Sequence, residues 1–276
     1  MVISEAEKLL CTELLPICGE DAHSEAREIL REVCGGISPF CEISDKQLEI
    51  CRGMIRRREG GEPLQYIFGH WEFYGYDFSV GEGVLIPRPE TELLCELAIK
   101  HLKTSGGCFA DLCAGSGCIG ITVALQTGCN GHGIELSDAA FGYFEQNIQN
   151  NKAENLLTAI HGDIFDSAII NRFEDGSLSA VLSNPPYISR KDMQTLQTEV
   201  RYEPELALYG GEDGLDYYRR IFALWGKKLK SGGLFAVEIG EEQASAVCGF
   251  MQDCGFEPTV IKDYDGHDRI VAATAE

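Results

Sequence analysis

The chain has 276 residues, 44% hydrophobic and 24% charged, the composition of a folded globular protein with one large domain or a catalytic domain and a small companion. No run approaches the roughly 18 apolar residues of a membrane span, and 23 basic against 44 acidic residues leave a net charge of −21, which repels nucleic-acid backbones and suits a basic partner. The 12 cysteines form no CxxC pair, and Cys129 with His132 lacks the second ligand pair that zinc needs. With a start, MVISEAEKLL, that lacks signal- and transit-peptide features, they are expected to be reduced, small buried hydrophobes in a cytoplasmic protein.

Residues 1–60 show helical spacing at Leu9, Leu10, Leu14 and Ile17, at Ala26, Ile29, Leu30 and Val33, and at Leu48, Cys51, Met54 and Ile55. Ser44 with Gln47 reads as a capping box, and Gly60-Gly61 after Arg56-Arg57-Arg58 as a helix stop with cations at the negative dipole end. From Tyr66 to Ile86, aromatics interleaved with glycine predict a strand pair that links two domains. The expected division is a helical domain over 1–65, a hairpin linker over 66–86 and a third region over 87–276. After a helix over Glu90–Lys103, strands are expected at Cys108–Leu112, Gly131–Glu135, Ala159–Gly162, Ser179–Ser183 and Leu234–Ile239, with a last pair near Thr259–Asp263 and Ile270–Ala273. That alternation predicts a doubly wound α/β sheet.

Gly115-Ser116-Gly117-Cys118-Ile119-Gly120 follows the first of these strands and opens a helix, and Glu135 ends the next strand, where an acid can hold two ribose hydroxyls. A nucleoside-containing cofactor is expected, and the loop by itself does not choose between a nicotinamide dinucleotide and S-adenosylmethionine. Asp111, before the loop, offers a carboxylate to a cofactor amino group, and Asp163 follows the third strand, where an adenine amino group would lie. Two acids suit an amino-acid nucleoside better than a pyrophosphate.

Asn184-Pro185-Pro186-Tyr187 directly follows an apolar strand. Its prolines remove two backbone donors and stiffen the chain at the carboxyl edge of the sheet. The Asn184 amide oxygen and a proline carbonyl can accept both hydrogens of a planar NH2 group, with the Tyr187 ring over its face. Acceptors of that kind bind the nitrogen more tightly as it becomes cationic, which lowers a transition state rather than a ground state.

PLQYIFGHWEFYG, LIPRPETE, DLCAGSGCIGI, SNPPYI and YEPELALYGGEDGLDYYRRI together identify the chain as similar to the PrmC or HemK family of protein-(glutamine-N5) methyltransferases, over nearly its whole length. The resemblance implies a class I S-adenosylmethionine-dependent methyltransferase fold, a Rossmann-like seven-stranded sheet with a reversed last hairpin, plus a small N-terminal helical domain that grips the substrate. It implies methyl transfer to the GGQ glutamine of class 1 peptide chain release factors, with no nucleic acid, membrane or metal. Carried over by position, Cys113, Ala114, Gly115, Ser116 and Gly117 form the cofactor loop, Glu135 binds the ribose, and Asp163 and Ile164 flank the adenine. Asn184, Pro185, Pro186 and Tyr187 hold the glutamine, with Asn184 also beside the cofactor. Two positions depart from the family pattern: Cys113 stands where its first loop glycine is common, and Ile164 where an aromatic can occur. Arg88 is open to two roles, an ion pair or a substrate contact. An N6-adenine nucleic-acid methyltransferase would use the same Asn-Pro-Pro-Tyr chemistry but needs a basic face. A nicotinamide oxidoreductase leaves that tetrapeptide without a role, and a non-catalytic binding module leaves the acceptors, acids and glycines unexplained.

Overall fold

The computed structural model describes residues 1–36, 38 and 40–276. They form two compact units, Met1–Gly69 with Thr198–Tyr202, and His70–Gln197 with Glu203–Glu276.

The first unit is helical: α1 (Ile3–Cys18), α2 (Ala22–Cys34), α3 (Asp45–Glu59) and the short α4 (Leu64–Phe68). Leu10, Leu14, Ala26, Ile29, Leu30, Leu48, Cys51 and Ile55 meet in its core, on the faces that three- and four-residue spacing selects. At the start of α3, Gln47 N donates to Ser44 Oγ at 3.3 Å and Ser44 N to Gln47 Oε1 at 3.1 Å. All three arginines of its last turn are bound to acids. Arg56 reaches Glu49 at 3.0 Å, Arg57 reaches Glu62 at 2.8 Å, and the buried Arg58 lies between Glu25 at 2.9 Å and Glu199 at 2.6 Å. Tyr66–Phe68, expected as strand, are helical, because Pro63 starts the turn and Gly69, at φ 82°, stops it in the left-handed conformation.

In the second unit the hairpin is confined to β1 (His70–Phe73) and β2 (Tyr76–Ser79). Tyr74 and Gly75 between them have φ of 53° and 76°, the conformation of a type I′ turn, whose twist matches that of the strands. After α5 (Glu92–Ser105) the chain runs β3 (Cys108–Leu112), α6 (Cys118–Thr127), β4 (Gly131–Glu135), α7 (Asp138–Asn150), β5 (Leu157–His161), α8 (Ser167–Ile170) and β6 (Leu178–Ser183). The short α9 (Arg190–Met193) and α10 (Glu205–Leu208) precede α11 (Asp216–Trp225), β7 (Leu229–Glu238), α12 (Ala244–Asp253), β8 (Thr259–Lys262) and β9 (Asp268–Thr274). β7 begins at Leu229 rather than Leu234, because Leu229 pairs with Leu178 across a register shift.

The seven strands lie in the order β5-β4-β3-β6-β7-β9-β8. The first five are parallel and β9 is antiparallel to both of its neighbours, so the sheet ends in the reversed hairpin. Ala180 and Leu182 of β6 face one core with Phe109 and Phe144, and Val181 faces the other with Phe222, Trp225 and Phe235, the alternation of a strand covered on both sides. Strand order reverses between β3 and β6, which opens a crevice at their carboxyl ends. The cysteines are free; Cys51, Cys95 and Cys118 are buried, but Cys41 and Cys254 are exposed, so the expectation of buried thiols holds only in part. No helix is long and apolar enough to cross a membrane among the described residues.

Candidate active site

The chain leaves β3 through a tight loop into α6. Gly117 caps α6 at φ 81°, and a Cβ there would lie 2.2 Å from the Phe144 ring, so only glycine fits. Cys113 also adopts a left-handed φ, 62°, at a cost of about 1–2 kcal/mol for a residue with a side chain. The departure noted at this position therefore falls where the backbone itself favours glycine. Glu135, at the end of β4, reaches back beneath the loop: Oε2 accepts from Gly115 N at 2.8 Å and Oε1 from Ser137 N at 2.7 Å. Burial raises its carboxyl pKa, and these backbone donors offset only part of the rise.

A cleft with an empty volume of about 640 Å³ lies at the crevice. Cys113, Gly115, Glu135, Asp163, Ile164, Asn184 and Pro186 line it, so the structure brings the loop, the two acids and the Asn-Pro-Pro-Tyr segment together. Leu85, Ile134, Leu136, Leu206 and Tyr217 supply apolar walls. Asp163 Oδ1 accepts from Phe165 N at 2.8 Å, and Ile164 O accepts from the buried Trp225 Nε1 at 2.9 Å. Among the described residues the lining holds two carboxylates and no Lys, Arg or His. That donor set fits a cationic amino-acid nucleoside and is unsuited to a pyrophosphate. A Cβ on Gly115 would meet nothing within 4 Å, so the loop backbone faces open space at this point.

Several expected residues lie elsewhere. Asp111 is wholly buried and its Oδ2 accepts from Gly120 N at 2.9 Å; it pins the start of α6 instead of facing a ligand, and burial pushes it up to about 7. Ala114, Ser116, Gly117 and Pro185 are buried and are not among the residues that line the cleft. Tyr187 is likewise not on the lining: it packs against the core beside β7, where its carbonyl accepts from Gln243 Nε2 at 2.9 Å. Of the two roles open to Arg88, the structure shows the ion pair, with the buried Glu203, whose Oε2 also accepts from Ile86 N at 3.0 Å.

Besides Glu203, three supporting residues were not predicted. Asn147, buried on α7, accepts from Ser79 N at 2.7 Å and donates to Ser79 O at 3.0 Å and Ser116 O at 2.9 Å, tying β2 to the loop. Thr91 accepts from Asn184 Nδ2 at 3.3 Å and donates to the buried Glu238 at 2.6 Å. Burial pushes the Glu238 carboxyl up to about 7, against the pull of the Thr91 hydroxyl. Only their polar type at buried sheet-edge or helix-face positions could have signalled them.

Residues 90–202 match the model of the methyltransferase small domain family. The release factor glutamine methyltransferase of Thermodesulfovibrio yellowstonii is 40% identical over 83% of this chain and 82% of its own length. That of Caulobacter vibrioides is 35% identical over 92% of this chain and 90% of its own length. Among solved structures, the hMettl16 catalytic domain in complex with MAT2A 3′UTR hairpin 6 aligns with a TM-score of 0.59 at 13% identity, covering 84% of this chain and 83% of that one. A methyltransferase from Pyrococcus furiosus aligns with a TM-score of 0.55 at 16% identity, over 73% of this chain and 90% of that one. These two share the class I methyltransferase fold. The identity and coverage of its sequence relatives show that the chain belongs to the release factor glutamine methyltransferase family.

Proposed function

We infer that this chain transfers the methyl group of S-adenosylmethionine to the side-chain amide nitrogen, N5, of the glutamine in the GGQ motif of class 1 peptide chain release factors, and so supports translation termination. The observation that carries the reading is the convergence of Glu135, Asp163 and Asn184 on one cleft without a basic residue. The names of the relatives agree with it. Cys113 to Gly117 and Glu135 would hold the ribose and amino-acid parts of the cofactor, and Asp163 with Ile164 its adenine. When bound, S-adenosylmethionine supplies an electrophilic methyl on a sulfonium. The Asn184 amide oxygen and the Pro185 carbonyl accept the hydrogens of the glutamine amide, orient its nitrogen and bind it more tightly as positive charge develops. No base is required, because the methylated nitrogen loses its proton to water.

The helical unit is proposed to help grip the release factor, whose basic surface the −21 charge would attract. A partner that works on the ribosome places the reaction in the cytoplasm, in keeping with the free cysteines. Adenine methylation in a nucleic acid is the weaker reading. Of the two small basic clusters, Arg56-Arg57-Arg58 and Lys227-Lys228-Lys230, all three arginines and Lys228 are engaged by acids. Transfer of labelled methyl to a purified release factor, to its GGQ glutamine-to-alanine form and to duplex DNA tests the proposal. Label on the intact factor alone supports it; label on DNA, or on neither, overturns it.

A further inference from the structure

Asn184 can serve as an acceptor only if its amide is turned the right way. Rotated by half a turn, the same side chain would present an NH2 group to the substrate NH2 and repel it. An asparagine amide is nearly symmetric in shape, so its orientation must come from its partners. The partner in this structure is Thr91, whose Oγ1 lies 3.3 Å from Asn184 Nδ2. A threonine hydroxyl has one hydrogen and can either donate to an amide oxygen or accept from an amide nitrogen.

In its ionised form Glu238 removes that ambiguity. It ends β7, next to Asn184 at the end of β6, since Ser183 and Val237 are paired across the two strands. Its Oε2 lies 2.6 Å from Thr91 Oγ1, and both residues are buried. Among the described residues no cation forms an ion pair with Glu238; the two nearby arginines, Arg88 and Arg269, are paired with Glu203 and Asp263. Burial raises the Glu238 carboxyl to about 7, and above that pH it is ionised and only accepts. The Thr91 hydrogen is therefore spent on Glu238, Thr91 faces Asn184 with a lone pair, and only the Nδ2 limb of the amide satisfies it. Oδ1 is left on the other limb.

We propose that Thr91 and Glu238 are positioning residues that set the polarity of the Asn184 amide, so that its oxygen rather than its nitrogen meets the substrate amide. The inference rests on the role given to Asn184 above. Neither Thr91 nor Glu238 lines the cleft, so their effect passes through Asn184.

The test is a double-mutant cycle read by steady-state methyl transfer to a release factor, with cofactor binding measured in parallel. Thr91→Val keeps the shape and removes the hydroxyl; it is expected to lower kcat about 10- to 100-fold, with KM and cofactor affinity changed by less than about threefold. Thr91→Ser restores the hydroxyl and should recover most of kcat. Glu238→Met, similar in length but without the acceptor, should lower kcat to a like extent. In an Asn184→Ala background, Thr91→Val should change kcat by less than about twofold, because the group it orients is gone. An equal loss from Thr91→Val in both backgrounds, or full activity of Thr91→Val alone, overturns the positioning role and leaves the function standing. Full activity of Asn184→Ala overturns both readings. Loss of cofactor binding in Thr91→Val together with failure of Thr91→Ser to rescue would show a purely structural role and also overturns the proposal.

Discussion

The roles proposed for single side chains in the cleft divide between binding and turnover. Asn184→Ala should cut turnover by about 100-fold or more, the scale of losing one preorganised transition-state hydrogen bond, while cofactor affinity stays near that of the wild type. Glu135→Ala should do the reverse, weakening cofactor binding about 10- to 100-fold by removing charge-assisted hydrogen bonds; calorimetric titration with the cofactor checks it, and unchanged affinity would dismiss Glu135 as a ribose ligand. Asp111 behaves differently because it is buried away from the cleft, with Oδ1 unbonded among the described residues. Its carboxyl is raised to about 7, so the native state keeps its proton where the unfolded chain, titrating near 4, releases it. Stability is then lost as pH rises from about 4 to about 7 and stays lower above that. Asp111→Asn keeps an oxygen for Gly120 N and cannot ionise. It should gain stability relative to wild type between pH 5 and pH 8.5, by on the order of 2 kcal/mol; parallel denaturant titrations at the two pH values decide it, and a pH-independent difference would remove Asp111 from the account.

Among elements, the one that most needs an external brace is the loop between β3 and α6, with its three left-handed residues Cys113, Gly115 and Gly117. Asn147 on α7 provides that brace through Ser116 O, and the same amide holds both backbone groups of Ser79. Asn147→Ala would strand those buried groups and should cost about 2–4 kcal/mol, read as a lower urea midpoint at unchanged slope; a loss below about 1 kcal/mol would mean that water replaces the amide. Sequence pattern revealed the strands, the loop, Glu135, Asp163 and Asn184 because each is defined by local spacing: glycines at a turn, an acid at a strand end, two prolines after an apolar run. Asn147, Thr91, Glu203 and Glu238 stayed hidden because their partners lie 68, 93, 115 and 147 residues away. Tyr66–Phe68 misled for a related reason. Aromatic residues favour strands only where they find a sheet to pack on, and here flanking Pro63 and Gly69 set a helical turn first.

For the whole molecule, charge is the dominant long-range property. With a net charge of −21, encounter with a basic release factor should weaken as salt shortens the Debye length from about 14 Å near 50 mM to about 6 Å near 300 mM. KM for the factor should rise several-fold over that range, with cofactor affinity nearly constant; a flat KM would mean that contacts rather than charge set the association. Chain order also has a bearing on how the first unit comes to be. Its helices span Met1–Gly69, yet Thr198–Tyr202 belong to the same unit and supply Glu199 to the buried Arg58 guanidinium. On an emerging polypeptide, Arg58 would have Glu25 alone until that distant stretch has been synthesised. The helical unit is therefore not a beginning that can be finished early: its last electrostatic contact waits for translation to pass through β6, so its completion is tied in time to that of the sheet.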